Sequence, residues 1–172
     1  VYTGNIVITN SNVFGLIRAS NMYKLPLLEE LCTQHVHKNL NNLTNKILKI
    51  FSYANAMNMK RLAEFLSKYI FLNFGYFLKT LTPKFLELNF VDLKEILERM
   101  EKPEIPSMFQ DIFMEGILTW THHNQYLSPE EKNCHFEELV KKIDFKNISV
   151  EYAEYMTKRY VKHYIHLNAA DN

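Results

Sequence analysis

The sequence predicts an all-α fold, on three observations. Apolar residues recur at three- and four-residue spacing along most of the chain. Residues that start helices stand just ahead of those stripes, most clearly in Ser128-Pro129-Glu130-Glu131, where a cap, a first-turn proline and a capping-box glutamate fall in order. A convincing strand signal occurs only at Asn5 to Thr9.

The elements follow in turn. The β-branched run Asn5 to Thr9 is the one strand signal, and it predicts a short extended piece. Asn10, Ser11 or Asn12 caps a first helix with Val13, Leu16, Ile17 and Ser20 on one side. Lys24-Leu25-Pro26 ends it, and Pro26 suits the first turn of a second helix that buries Leu27, Leu28, Leu31, Cys32 and Val36. Asn39 to Asn42 reads as a turn before a third helix with Leu43, Ile47, Leu48, Phe51 and Ala54 inward, and Asn58 breaks it. A fourth helix is predicted from Met59 to Phe77, on the stripe Leu62, Phe65, Leu66, Tyr69, Ile70 and Phe74. Thr82-Pro83 opens a short helix with Phe85, Leu86 and Leu88, and Asn89 or Asp92 begins another with Leu93, Ile96 and Leu97. Pro103 and Pro106 make the stretch from Glu101 a rigid connection. Ser107 then caps a helix whose stripe of Ile112, Phe113, Gly116 and Ile117 predicts Trp120 in the core. The helix after Ser128 carries Phe136, Leu139, Val140 and Ile143. Ser149 caps the last, with Tyr152, Tyr155, Met156, Tyr160 and Tyr164 down one side.

Composition excludes several function classes. Twenty Lys and Arg against nineteen Asp and Glu leave a net charge of +1, too little to condense on nucleic acid or an acidic membrane. No apolar run approaches the roughly 20 residues of a spanning helix. Without a glycine-rich loop, neither P-loop nor dinucleotide chemistry is available. Cys32 and Cys134 are too few for a disulfide framework and point to a reducing compartment, the cytoplasm or nucleus. No initiator Met precedes Val1, so a segment of a longer protein is expected.

The chemistry-bearing residues are scattered. Cys32 and His35 share a helix face, but His37 points elsewhere, and no second pair completes a metal site. Cys32 beside His35 lacks the oxyanion donors a nucleophile needs. His122-His123 and His163 with His166 fit helix C-termini, where a cation is favoured. Lys158, Arg159 and Lys162 read as a solvated helix edge. No metal, cofactor or catalysis is expected.

Tyr2-Thr3-Gly4, Asn12-Val13, Leu16 to Ala19, Met22 to Leu25 and Leu28 to Cys32 together resemble the last part of a BTB domain. Leu43 to Ala54, Leu62 to Leu66, Tyr69 to Phe74, Phe85 to Leu88, Leu93 to Leu97, Ile112 to Trp120 and Phe136 to Ile143 resemble, in order, the BACK domain that follows BTB in kelch-like proteins. The resemblance departs from the family's pattern at Asp144, Lys146 and Asn147, and at the two prolines before Ser107. It implies residues 1–40 as the C-terminal helices of a BTB domain and 41–172 as a helical BACK domain. It also implies a non-catalytic substrate adaptor that links targets to a cullin-3 ubiquitin ligase. The BTB part would form a homodimer and hold cullin-3, and substrate would bind a kelch domain outside this chain. A BTB-BACK scaffold that recruits no cullin is the alternative. Under the adaptor reading the cullin groove lies between the helix from Leu43 to Met57 and the next one. Ile50, Tyr53 and Met57 stand at its edge, because Tyr and Met suit a partly exposed groove.

Overall fold

Each stripe becomes a helix in the computed structural model, which describes residues 6–98 and 108–158. Among those residues the α-helices are α1 (Val13–Met22), α2 (Pro26–Lys38), α3 (Leu40–Ala56), α4 (Lys60–Leu72), α5 (Phe74–Thr80), α6 (Thr82–Leu86), α7 (Phe90–Glu98), α8 (Met108–His123), α9 (Pro129–Val140) and α10 (Val150–Met156). The chain divides into two compact units, Val1–Ile96 and Leu97–Asn172. The Tyr2-Thr3-Gly4 turn, the connection from Glu101 to Ser107, and the residues from Arg159 on, with His163 and His166, lie outside the described residues.

In the first unit α1 packs on α2 and α3 on α4, while α6 lies against both α3 and α5. Val13 and Ile17 meet Cys32 and Val36 in the interior, and Leu43, Ile47, Ile50, Phe51 and Ala54 turn the α3 stripe inward. Phe74 and Phe85 meet edge-on at 5.3 Å. Each such fully buried side chain stabilises the unit by about 1.5–3 kcal/mol. The buried hydroxyls are satisfied within their own helices, Ser20 donating to Ile17 O at 2.8 Å and Ser67 to Glu64 O at 3.0 Å.

Two helix ends share one device. After α1, Leu25 N–H reaches back to Ser20 O at 2.8 Å, and Lys24 sits at φ 54°. After α3, Met59 N–H reaches Ala54 O at 2.8 Å, and Asn58 sits at φ 55°. Both are Schellman closures with a left-handed residue, a conformation that asparagine tolerates and lysine resists.

Several sequence expectations are corrected. No strand forms among the described residues. Instead the side chain of Asn12 holds the segment before α1, donating to Val7 O and accepting from Thr9 N–H, both at 2.8 Å. The four-residue turn at Asn39 shrinks to one residue. Asn39 closes α2 through its N–H to Val36 O, and its own carbonyl already accepts from Leu43, so α3 starts at Leu40. The fourth helix is two helices, because the Asn73 amide donates to Tyr69 O at 2.8 Å and competes with the helical ladder there. Leu27 is 70% exposed and Leu31 44%, since α1 covers only the Cys32–Val36 side of α2.

In the second unit α8 packs on α9 and on a 3₁₀ turn, Phe145–Asn147. Trp120 is buried on α8, with the His135 ring of α9 at 6.0 Å. Ser128 caps α9 with the full reciprocal box, accepting from Glu131 N–H at 3.2 Å and donating its own N–H to the Glu131 carboxylate at 2.8 Å. Hydrogen bonding from the Ser128 backbone N–H, and then from its side chain, holds the Glu131 carboxyl below its ordinary value. Ser149 caps α10 and also gives its N–H to Asp111 of α8 at 2.9 Å, while Tyr152 donates to Glu115 at 2.7 Å. Polar contacts thus fasten α10 to α8.

Candidate partner-binding site

Helix α3 presents the three expected groove residues in three different ways. Ile50 is fully buried and fixes the helix from beneath. Tyr53, one turn on, is half-buried. Its ring meets Phe14 of α1 edge-on at 5.8 Å, and its hydroxyl accepts from the Asn21 side-chain amide at 3.4 Å. Phe14 and Asn21 lie two turns apart on one side of α1, so Tyr53 bridges α3 back to α1. Met57 closes α3 and is 45% exposed.

Beside Asn21 the chain leaves further apolar surface open. Met22 and Tyr23 are each 65% exposed, and Leu25 and Leu27 follow them into solvent. Sequence reasoning used Met22 and Tyr23 for the family resemblance and did not place them at a binding surface. Their signal was an apolar pair at a helix end with no place on the buried stripe. Exposed apolar side chains in such a sequence-local cluster suit a protein partner.

The residues weighed for catalysis or metal binding around Cys32 have other neighbours. Burial pushes the Cys32 thiol up to about 11, which keeps it protonated and non-nucleophilic near neutral pH. His35 meets the Asn10 side-chain oxygen at 2.8 Å, and His37 stacks on Phe65 with ring centres 3.5 Å apart. Desolvation holds His37 below its ordinary value. The two histidines that follow Cys32 thus turn to two different neighbours. Among the described residues no group of three or more His, Cys, Asp or Glu side chains converges as a metal site. Nor is any helix among them long and apolar enough to cross a membrane.

Comparison with known proteins assigns this architecture to a class. The family profile described as BACK, BTB And C-terminal Kelch, matches residues 47–158, and the chain belongs to that family. It is similar to human Kelch repeat and BTB domain-containing protein 3, 26% identical over 150 residues that cover 87% of this chain and 23% of that protein. It is also similar to zebrafish (Danio rerio) Kelch-like protein 24a, 26% identical over 137 residues, 77% of this chain and 21% of the relative. Kelch-like protein 8 of Caenorhabditis elegans is 25% identical over 141 residues, 82% and 19% of the two chains. The chain therefore spans less than a quarter of the length of these relatives.

Proposed function

We propose that the chain is a non-catalytic interaction module within a cytoplasmic or nuclear substrate adaptor that links targets to a cullin-3 ubiquitin ligase. Residues 1–40 are the end of a BTB domain and 41–172 the BACK domain. The adaptor pairs with a second copy through its BTB part, and substrate binds a domain outside this chain. The observation that carries the reading is Tyr53 of α3, half-buried and bridged to Asn21 of α1, with exposed Met57 closing α3 and exposed Met22 and Tyr23 closing α1. Membership of the BACK family supports it. The groove expected between α3 and α4 moves, in this reading, to the α1 side of α3, because Tyr53 turns toward Phe14 and Asn21; the cullin segment docks there, with Tyr53 and Met57 in contact and Ile50 holding the helix from below.

The test is calorimetric titration of the full-length protein with the N-terminal part of cullin-3. Met57→Ala should weaken binding by about 1 kcal/mol or more, roughly fivefold or more, with little change in melting temperature, as for a central contact. Tyr53→Ala should weaken binding too, but it also removes the ring contact with Phe14 and lowers stability, so Met57 is the cleaner probe. Binding that ignores both substitutions refutes this edge as the groove. No binding at micromolar concentration refutes the ligase reading and leaves a scaffold that recruits no cullin.

A further inference from the structure

Two of the five prolines follow a hydroxyl residue, in Thr82-Pro83 and Ser128-Pro129. The fold treats the two pairs differently. Thr82 is the first residue of α6 and half-buried, and its hydroxyl donates to Leu78 O at 2.6 Å. Ser128 is exposed and stands outside helix at φ −65° and ψ 161°, in the extended region to which the ring of Pro129 confines it. Its side-chain oxygen accepts from Glu131 N–H at 3.2 Å, and its hydroxyl hydrogen goes to no group among the described residues. Ahead of it in the loop between α8 and α9, Gln125 and Tyr126 face solvent, Tyr126 being 92% exposed.

These are the features a protein kinase needs in its acceptor. A serine already held extended loses little entropy on docking into an active-site groove. An exposed stretch ahead of it gives the enzyme access, and the free hydroxyl hydrogen can leave without breaking a bond inside the fold. Proline next in sequence adds selectivity, because it has no N–H and so fits a pocket that offers no acceptor. Thr82 fails on conformation, on burial and on its committed hydrogen.

We infer that Ser128 is a phosphorylation site for a proline-directed serine kinase, with ATP as the phosphoryl donor. Ser128 Oγ attacks the γ-phosphorus and its proton passes to the kinase's catalytic aspartate; the Oγ–P bond forms as the bond to ADP breaks. The product acts on the cap of α9. A phosphate adds about 1.5 to 2 negative charges. It adds them beside the Glu131 carboxylate, which accepts from Ser128 N–H at 2.8 Å. Two anions then compete for one helix end, and the phosphate holds it because it carries the greater charge. Glu131 is driven off and loses the Ser128 N–H bond that keeps its carboxyl low. The inference concerns the second unit and is independent of the cullin reading.

The experiment is incubation of the folded 172-residue chain with a proline-directed kinase and Mg–ATP, read by peptide mass spectrometry. Ser128 should gain one phosphate while Thr82 stays unlabelled. Ser128→Asn keeps a good cap and should abolish the label with the fold intact, and Ser128→Thr should restore it. Pro129→Ala should slow labelling about tenfold or more, the cost of burying the N–H that alanine brings. In the labelled chain the Glu131 carboxyl should titrate at higher pH than in the unlabelled one, followed by carbon NMR. The inference is overturned if Ser128 of the folded chain takes no phosphate, or takes it only after heating past unfolding. It is overturned equally if Thr82 is labelled as fast, or if Pro129→Ala is labelled at the unaltered rate. A Glu131 titration that does not move overturns the exchange at the cap.

Discussion

Trp120→Ala is the sharpest probe of the second unit. Trp120 is the chain's single tryptophan, 1% exposed, on the same α8 stripe as Phe113 and Ile117 and beside the His135 ring. A buried tryptophan removes about 150–250 Å² from water. At about 25 cal/mol per Å² that is roughly 4–6 kcal/mol. Compactness of the unfolded chain lowers the figure, and the alanine that remains keeps part of it. The expected loss is therefore about 3–5 kcal/mol, the range measured for large aromatic truncations. Urea unfolding followed by circular dichroism at 222 nm measures it without needing the lost indole. In the unaltered chain the same indole reports on the second unit alone, and its emission should be blue in the folded state and shift red as urea rises. A loss below about 1 kcal/mol, or the emission of a solvated indole in the folded protein, would refute the packing argument.

Two further outcomes follow from single residues. Cys134 is exposed and should react promptly with a thiol reagent at pH 8, whereas Cys32 should wait for unfolding. Because burial raises the Cys32 thiol from 9.0 to about 11, its contribution to stability is intact below pH 9 and is lost as pH climbs toward 11. At 1.36 kcal/mol per pH unit that loss is bounded by about 3 kcal/mol, and Cys32→Ala should remove it from the pH dependence of unfolding; two equally fast thiols would contradict the buried placement. Lys24→Gly should raise stability by about 0.5–1 kcal/mol, because Lys24 holds a left-handed conformation that costs a side chain and suits glycine; a destabilised variant in denaturant titration would contradict it.

The contrast between Asn58 and Lys24 shows what the sequence could tell. The same closure ends α3 and α1, but only the asparagine carries a chemical preference for it, so one stop was legible from its residue and the other only from the proline after it. The break at Asn73 was hidden for another reason. Phe74 continues the buried stripe of Tyr69 and Ile70 across it, and a one-residue interruption that preserves the stripe leaves the periodicity intact. Leu27 and Leu31 mark a third limit. Spacing says which side chains could be buried together, not whether a partner is there to bury them.

Helix α3 is where these levels meet. Its inward face, Ile47, Ile50, Phe51 and Ala54, is fully buried and fixes the helix against rotation. A helix so fixed must present Lys49, Tyr53 and Met57 at set positions on its outer flanks. Phe14 of α1 then touches two of them, meeting Tyr53 edge-on and lying beneath the Lys49 ammonium. One ring thus positions an aromatic and a cationic residue on the same flank of α3. Ile50 shows the same economy from below: a side chain without surface of its own decides where its neighbour Tyr53 can stand. A partner on this flank would therefore read a geometry set by the core of the unit, which is what separates a docking surface on a rigid helix from exposed apolar residues on a loop.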